Sequence, residues 1–280
     1  MDPQGANMGE MEDRDLLAFL EKVRRERGLD CHQYKLNFLK RRLAVRLRAR
    51  GVESYREYMR LLDDEEYEKL FKALTINLSY FFRDDTTFEA LRDKVLRPLL
   101  QEKAEQGSRL VRVWSAGCAG GEEPYSVAIL FHELLGGELG NWRIRILATD
   151  LDAGALERAR RGVYGEFSFR GVDPAYIARY FTRLSQREYA IKPEIAAMVK
   201  FERRDLIADP PPRRLDLILC RNVLIYFSRE QQRRLLRAFH SALNDGGYLV
   251  IGKTEVLMGT AARLFKPLDL KERIYIKVPI

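Results

Sequence analysis

Disulfide and zinc chemistry are the first classes to fall away. Only three cysteines occur in 280 residues, Cys31, Cys118 and Cys220. The count is odd and no CxxC pair is present, so neither a disulfide framework nor a zinc knuckle is expected. Histidine is equally scarce: His32, His132 and His240 are scattered and read as surface or satisfied core residues. Long apolar runs are missing too. The run through Leu217, Ile218 and Leu219 is strand-length, so no transmembrane helix and no membrane insertion are expected. Residues 1–12 are polar and partly acidic, without the charged-then-apolar layout of a secretory signal, and read as a disordered tail. A cytoplasmic location follows as the expectation.

What is present is enough for a sizeable core. A hydrophobic share of 46% beside 32% charged residues describes a soluble globular chain of one large or two small domains. The net charge of +8 invites a nucleic-acid reading. Its distribution argues otherwise. Residues 31–50 hold Lys35, Lys40, Arg41, Arg42, Arg46, Arg48 and Arg50 and no acid, which leaves the rest of the chain close to balanced. In the same stretch Leu36, Leu39, Leu43 and Leu47 are spaced three or four apart, on one helical face, and Gly51 is a plausible C-cap. The spacing predicts an all-helical domain over 13–75.

Residues 76–109 read as an interdomain segment followed by a helix from Thr86 to about Leu100 and a polar loop, Gln101 to Ser108. From Leu110 the pattern alternates: strands at Leu110–Trp114, Ile144–Thr149, Leu215–Cys220 and Tyr248–Ile251, helices at Pro124–Leu135, Ala153–Arg161 and Arg229–Leu243. Such alternation implies an α/β fold, a doubly wound, mostly parallel sheet, over 110–280, with Ile274–Ile276 as a last, antiparallel strand. Short β-like pieces punctuated by Pro174 and Pro193 interrupt it and read as an inserted β subdomain over about 164–201.

Chemistry gathers at the carboxyl ends of these strands. After the first comes Ser115-Ala116-Gly117-Cys118-Ala119-Gly120-Gly121-Glu122-Glu123-Pro124-Tyr125. Its glycines let backbone approach a ligand closely, yet the spacing is not G-x-G-x-x-G. Glu122 and Glu123 would repel a pyrophosphate and suit an ammonium. Both acids equally suit a first helical turn, so the loop alone leaves the matter even. Asp150, at the end of the second strand, is placed to accept ribose hydroxyls, while Asp152 caps the next helix better by position. A glycine loop with a ribose-type acid and no phosphate cradle favours an adenosine ligand lacking phosphates, S-adenosylmethionine foremost. Arg221-Asn222, directly after a buried strand, has little structural purpose and reads as functional.

These pieces together resemble the CheR family of chemotaxis receptor methyltransferases, which are protein-glutamate O-methyltransferases. The matching segments are Asn77-Leu78-Ser79-Tyr80-Phe81-Phe82-Arg83-Asp84, Ser115-Ala116-Gly117-Cys118, Gly121-Glu122-Glu123-Pro124-Tyr125-Ser126, Ala148-Thr149-Asp150 and Cys220-Arg221-Asn222-Val223-Leu224-Ile225-Tyr226-Phe227, with Gly246-Gly247-Tyr248-Leu249 and Gly252 to Glu255 closing the match. The resemblance implies a Rossmann-like, S-adenosylmethionine-dependent methyltransferase domain behind an N-terminal all-helical domain, with S-adenosylhomocysteine as product. It implies that Asn77, Ser79, Arg83, Gly117, a glutamate of the Glu122/Glu123 pair, Asp150, Asp205, Leu206, Arg221 and Asn222 bind the cofactor. Two departures stand out: Ala119-Gly120 where Ser-Thr is common, and Lys253-Thr254 where His-Ser is.

On this resemblance a glutamate of a chemoreceptor's cytoplasmic helical bundle receives the methyl group, and the β subdomain is a candidate for holding a receptor's C-terminal peptide. No general base is needed, because a glutamate carboxyl of pKa about 4.3 is already ionised. Arg83 and Tyr226 are the expected catalytic groups. Lys40, Arg41, Arg42, Arg46 and Arg48 are expected to dock the acidic substrate. Two rivals remain: a cofactor-binding scaffold without turnover, and a nucleic-acid methyltransferase. The second is weak, since Asp209-Pro210-Pro211-Pro212 precedes a strand and lacks the aromatic of the amino-methylating motif.

Overall fold

The computed structural model describes residues 3–75, 77–257 and 259–279. The chain divides into two compact units, Met1–Ile76 with Tyr226–Arg229, and Asn77–Ile225 with Glu230–Ile280.

The first unit holds α1 (Pro3–Arg27), α2 (Leu36–Arg50), α3 (Tyr55–Arg60) and α4 (Asp64–Leu74). Helix α1 starts at Pro3, so residues 3–12, expected as a disordered tail, lie in a helix. Its core is built from Phe19, Val23, Leu39, Leu43, Tyr58 and Leu70, all buried. Along α2 the inward stripe is Phe38, Leu39, Leu43 and Leu47. Leu36, at the helix's first position, is 48% exposed, and Phe38 takes the inward place beside Leu39. Gly51 ends α2 at φ 66°, as a left-handed C-cap requires. Ser54 and Asp63 cap α3 and α4, accepting from the amides of Glu57 and Glu66.

The second unit opens with α5 (Asp85–Leu91), which runs through a π turn, Arg92–Leu96, into α6 (Arg97–Glu105). This helix passes the expected stop at Leu100. Gln101 and Glu105, and Glu102 and Gln106, bond across one turn at 3.0 Å each, and Gly107, at φ 69°, follows the end. Then come β1 (Leu110–Ala116), α7 (Glu122–Leu135), β2 (Arg143–Asp150) and α8 (Ala153–Arg161). Next are β3 (Val163–Gly165), α9 (Pro174–Tyr180), β4 (Phe181–Arg183), β5 (Glu188–Ile191), α10 (Pro193–Ala196) and β6 (Val199–Arg203). The chain finishes with β7 (Leu215–Cys220), α11 (Arg229–Ala242), β8 (Leu243–Ile251), β9 (Phe265–Asp269) and β10 (Ile274–Lys277).

Seven strands form the main sheet in the order β6-β2-β1-β7-β8-β10-β9. The first five are parallel, and β10 joins β8 antiparallel, as expected of the last strand. The sequence reading missed β9, an edge strand broken by Pro267 that pairs with β10. It also started the next strand at Tyr248, whereas β8 starts at Leu243 and its pairing with β7 shifts register there. The insertion is a three-stranded antiparallel sheet, β3-β5-β4. Its expected end at Phe201 is corrected: β6 belongs to the main sheet, beside β2. Because strand order reverses between β1 and β7, their carboxyl ends leave a crevice at the switch point. There the chemistry-bearing loops meet.

Candidate cofactor and active site

The loop from β1 to α7 is shaped by packing that only glycine permits. A Cβ at Gly117, φ 84°, would stand 2.5 Å from the Val223 side chain. One at Gly121, φ 91°, would stand 2.8 Å from Ala159 and 3.1 Å from Phe201. The amides of Gly117 and Cys118 both donate to the Thr149 carbonyl, at 2.8 and 2.9 Å, which ties the loop to β2. Ala119 adopts φ 48° without being glycine, and its amide donates to Asp150 Oδ2 at 2.9 Å.

Asp150 is thus held from both sides, since Oδ1 accepts the Asp152 amide at 2.9 Å. Each oxygen keeps a second lone pair for a hydroxyl. Burial pushes its carboxyl above the usual range, although these amides pull it back. Asp152 caps α8, accepting the Ala155 amide at 3.0 Å, and its other oxygen receives Asn77 Nδ2 at 2.5 Å.

The two acids at the start of α7 differ sharply. Glu123 Oε1 accepts the Ser115 hydroxyl at 2.8 Å, and Oε2 lies 3.4 Å from the Arg221 guanidinium. Glu122 is only 7% exposed, yet Oε2 has no hydrogen-bond partner among the described residues. Its Oε1 has the Ser168 hydroxyl at 3.5 Å. Burial pushes the Glu122 carboxyl up, outweighing its own amide, Ser79, Arg158 and Ser168. Burial raises Glu123 as well, with Arg221 opposing. A buried carboxylate oxygen left open at the mouth of a glycine loop fits a ligand cation.

The segment Asn77–Asp84 is bolted to this site. The Phe81 amide donates to the Ser168 carbonyl at 2.9 Å, and the Phe82 amide to the Ser126 hydroxyl at 3.0 Å. The Phe81 ring is packed against Tyr164, Phe169 and Phe181 at 4.8 to 5.3 Å between centroids. Phe82 and Asp84 hold positive φ, 52° and 61°, which turns the chain sharply around Arg83. Arg83 itself donates from Nη1 to the Leu78 carbonyl at 2.8 Å.

Arg221 sits behind these groups. It is buried, and Nη2 donates to the Arg83 carbonyl at 2.6 Å and to Asp84 at 2.8 Å, while Nη1 faces Glu123. Of the groups expected to touch cofactor, it is therefore largely engaged in holding the segment that carries Arg83. Asp205 is similarly occupied with a turn: Oδ1 accepts the amides of Ile207 at 2.8 Å and Ala208 at 3.2 Å, and Leu206 lies within that turn.

Asn222, at φ 59°, donates its amide to Glu255 Oε2 at 3.0 Å. Glu255 is a residue whose role sequence reasoning missed. It is buried and also accepts the amides of Gly252 at 2.6 Å and Ile225 at 3.2 Å, so one carboxylate shapes the loop after β7. A Cβ at Gly252 would meet the Asn222 amide at 2.8 Å, and the pairing Gly252-x-x-Glu255 was the signal available. Lys253, one of the two departures, donates to Thr86 at 2.7 Å and pairs with Glu272 at 3.2 Å.

Other expected site residues lie in the helical unit. The Tyr226 ring packs on Phe38 at 4.8 Å, and Tyr226 groups with that unit. Arg46 is not a free docking charge, because its fork closes on the buried Glu66 at 2.7 to 2.9 Å. Lys40 pairs with Asp13 at 2.7 Å, and Arg42 Nε donates to the Ala73 carbonyl at 2.5 Å. Among the described residues Arg48 donates to the Ala44 carbonyl alone, at 3.1 Å, and Arg41 is exposed.

Residues 77–274 match the family profile described as the CheR methyltransferase SAM-binding domain, and residues 14–75 match its all-alpha domain. A chemotaxis protein methyltransferase of Borreliella burgdorferi is 31% identical over 83% of this chain and 84% of its own length. Chemotaxis protein methyltransferase 1 of Pseudomonas aeruginosa is 35% identical over 85% of this chain and 88% of its own. An uncharacterized 104.1 kDa protein of Rhodobacter capsulatus is 38% identical over 86% of this chain, which spans 25% of that protein's length.

Proposed function

The chain belongs to the CheR methyltransferase family, and on that premise we propose that it transfers a methyl group from S-adenosylmethionine to glutamate side chains of chemoreceptors, forming methyl esters. The open, buried Oε2 of Glu122 carries the reading. A buried carboxylate with one oxygen left unpartnered is costly to fold, and the ammonium of an amino-acid-bearing cofactor is the complement that oxygen lacks. Asp150 would take the ribose hydroxyls through its remaining lone pairs, beside the glycine loop and Asn222. Arg83, with one nitrogen engaged at Leu78, keeps donors for a carboxylate.

When bound, S-adenosylmethionine supplies a methyl group already activated on a sulfonium. The chain's own residues then have positioning to do and no proton to remove, since the substrate carboxylate is ionised at neutral pH. Glu122 and Arg83 would hold the ammonium and the carboxylate of the cofactor's amino-acid end, and Asp150 its ribose. Arg221 fixes the Arg83 backbone through its 2.6 Å bond, and Glu255 fixes Asn222. The substrate is the cytoplasmic helical bundle of a chemoreceptor, reached in the cytoplasm, with the basic α2 helping to attract it.

The test is direct. The protein is incubated with methyl-labelled cofactor and a purified chemoreceptor cytoplasmic fragment, and the products are mapped by mass spectrometry. Base-labile methyl groups on glutamates are expected. Cofactor binding without transfer, or label on another residue type, contradicts the proposal.

A further inference from the structure

Arg170 closes the 3₁₀ turn Glu166–Phe169 that follows β3, and the cofactor chemistry does not use it. Its guanidinium carbon lies 3.7 Å from the centre of the Tyr80 ring and 4.4 Å from that of Phe167. Arg170 is exposed, and among the described residues its guanidinium has no hydrogen bond and no carboxylate within ion-pairing distance. Phe167 is 58% exposed, a large ring kept at the surface beneath a cation. Arg83 approaches the same Tyr80 ring at 5.9 Å. Two guanidiniums therefore approach one ring, and Arg170 lacks a counter-charge among the described residues.

Stacking on two rings holds the guanidinium plane at little entropic cost while its N–H edge stays open to solvent. That edge is shaped for a carboxylate, gripped in a fork. The turn is also rigidly joined to the site. The Ser168 carbonyl accepts the Phe81 amide at 2.9 Å, and the Ser168 hydroxyl stands 3.5 Å from Glu122 Oε1. Arg170 lies two residues from that junction.

We infer that Arg170, shelved on Tyr80 and Phe167, reads the protein substrate by receiving the carboxylate of a second acidic side chain near the glutamate to be modified. The inference rests on the glutamate-methylating function proposed above and adds to it a requirement for acidic surroundings at the target. Arg170 is a specificity residue in this scheme, and Tyr80 positions it.

Steady-state methylation of a chemoreceptor cytoplasmic fragment tests it, beside calorimetry with S-adenosylhomocysteine. Arg170→Ala is expected to raise KM for the fragment about tenfold, the loss of one charge-assisted fork, with kcat within about twofold. Affinity for S-adenosylhomocysteine stays unchanged. Tyr80→Leu raises KM in the same direction and Tyr80→Phe restores it, since the ring rather than the hydroxyl is the shelf. When the non-methylated acids flanking the target are changed to Gln in the fragment, the wild type acquires the raised KM and Arg170→Ala adds nothing more. An unchanged KM for Arg170→Ala, on a fragment whose glutamates the wild type does methylate, overturns the inference and leaves the function standing. A parallel fall in S-adenosylhomocysteine affinity overturns it too, assigning Arg170 to the cofactor. Failure of the wild type to methylate glutamates overturns the function and this inference with it.

Discussion

Two buried glutamates, one in each unit, show how the same cost is met in opposite ways. Glu66, in the helical unit, is 1% exposed and fully answered: Arg46 grips it at 2.7 to 2.9 Å and the Tyr58 hydroxyl donates at 2.6 Å. Glu122, in the α/β unit, is 7% exposed and keeps an oxygen with no partner among the described residues. A closed ion pair settles a fold, whereas an open one reserves a place for a ligand. The same contrast sorts the arginines. Arg46 and Arg221 are committed to carboxylates or carbonyls of their own units, while Arg83 and Arg170 are held by rings and a single carbonyl and keep donors open.

The largest effect is expected at an open arginine. Arg83→Ala should lower methyl transfer to a receptor fragment about a hundredfold or more with little change in melting temperature, because it removes alignment and, within the fold, one carbonyl bond and one distant ring contact. Initial rates close to wild type would put Arg83 outside the site. At a closed glutamate the effect moves to stability. Glu66→Gln leaves Arg46 facing an uncharged group and should cost about 3 kcal/mol in urea unfolding. A cost under about 1 kcal/mol would mean that the pair is not the clasp its geometry suggests.

Acidity gives a third, smaller contrast. Burial raises the Glu122 carboxyl above its ordinary value, so it takes up a proton at a pH where an exposed glutamate is still charged. Affinity for S-adenosylhomocysteine should therefore weaken as pH falls, beginning above the range in which an exposed glutamate titrates, and Glu122→Gln should flatten that slope in calorimetry. For stability the sign is reversed. A folded-state pKa above the unfolded value means that the ligand-free protein gains stability as pH falls through the window between them. A pH-independent affinity in the wild type would contradict the assignment of Glu122. The smallest effect belongs to docking. Since Arg46 is committed to Glu66, the informative reversal is Arg41 and Arg48 to Glu, expected to raise KM for the receptor fragment severalfold, and more at low salt. Equal KM values at low salt would reduce α2 to a solvated face.

Much of this architecture was legible in the chain. The alternation of apolar segments and glycine punctuation from Leu110 implied the parallel sheet, and the apolar run Leu217–Cys220 marked β7 as a buried strand. Asp152 as a cap and Gly51 as a stop followed from local chemistry alone. Strand β9 was missed because an edge strand with Pro267 lacks alternation, and α6 ran past its expected end because side-chain pairs one turn apart carry no apolar signal. The division of labour between Glu122 and Glu123 was beyond the sequence. Adjacent acids on one helical turn look alike until Ser115 and Arg221 are seen to occupy one of them. Glu255 and Arg170 were hidden for the same reason: what matters in each is a partner distant in sequence, amides after β7 for one and the Tyr80 ring for the other.

The central claim is that the open oxygen of Glu122 is kept for a ligand cation. Calorimetry of S-adenosylhomocysteine with Glu122→Gln, beside a thermal melt of the same variant, tests it most directly. An increase in Kd of about tenfold or more is expected, with a melting temperature equal to or above that of the wild type, since a buried charge with one unpartnered oxygen has been removed. An unchanged Kd, or a loss of stability like that expected of Glu66→Gln, would contradict it.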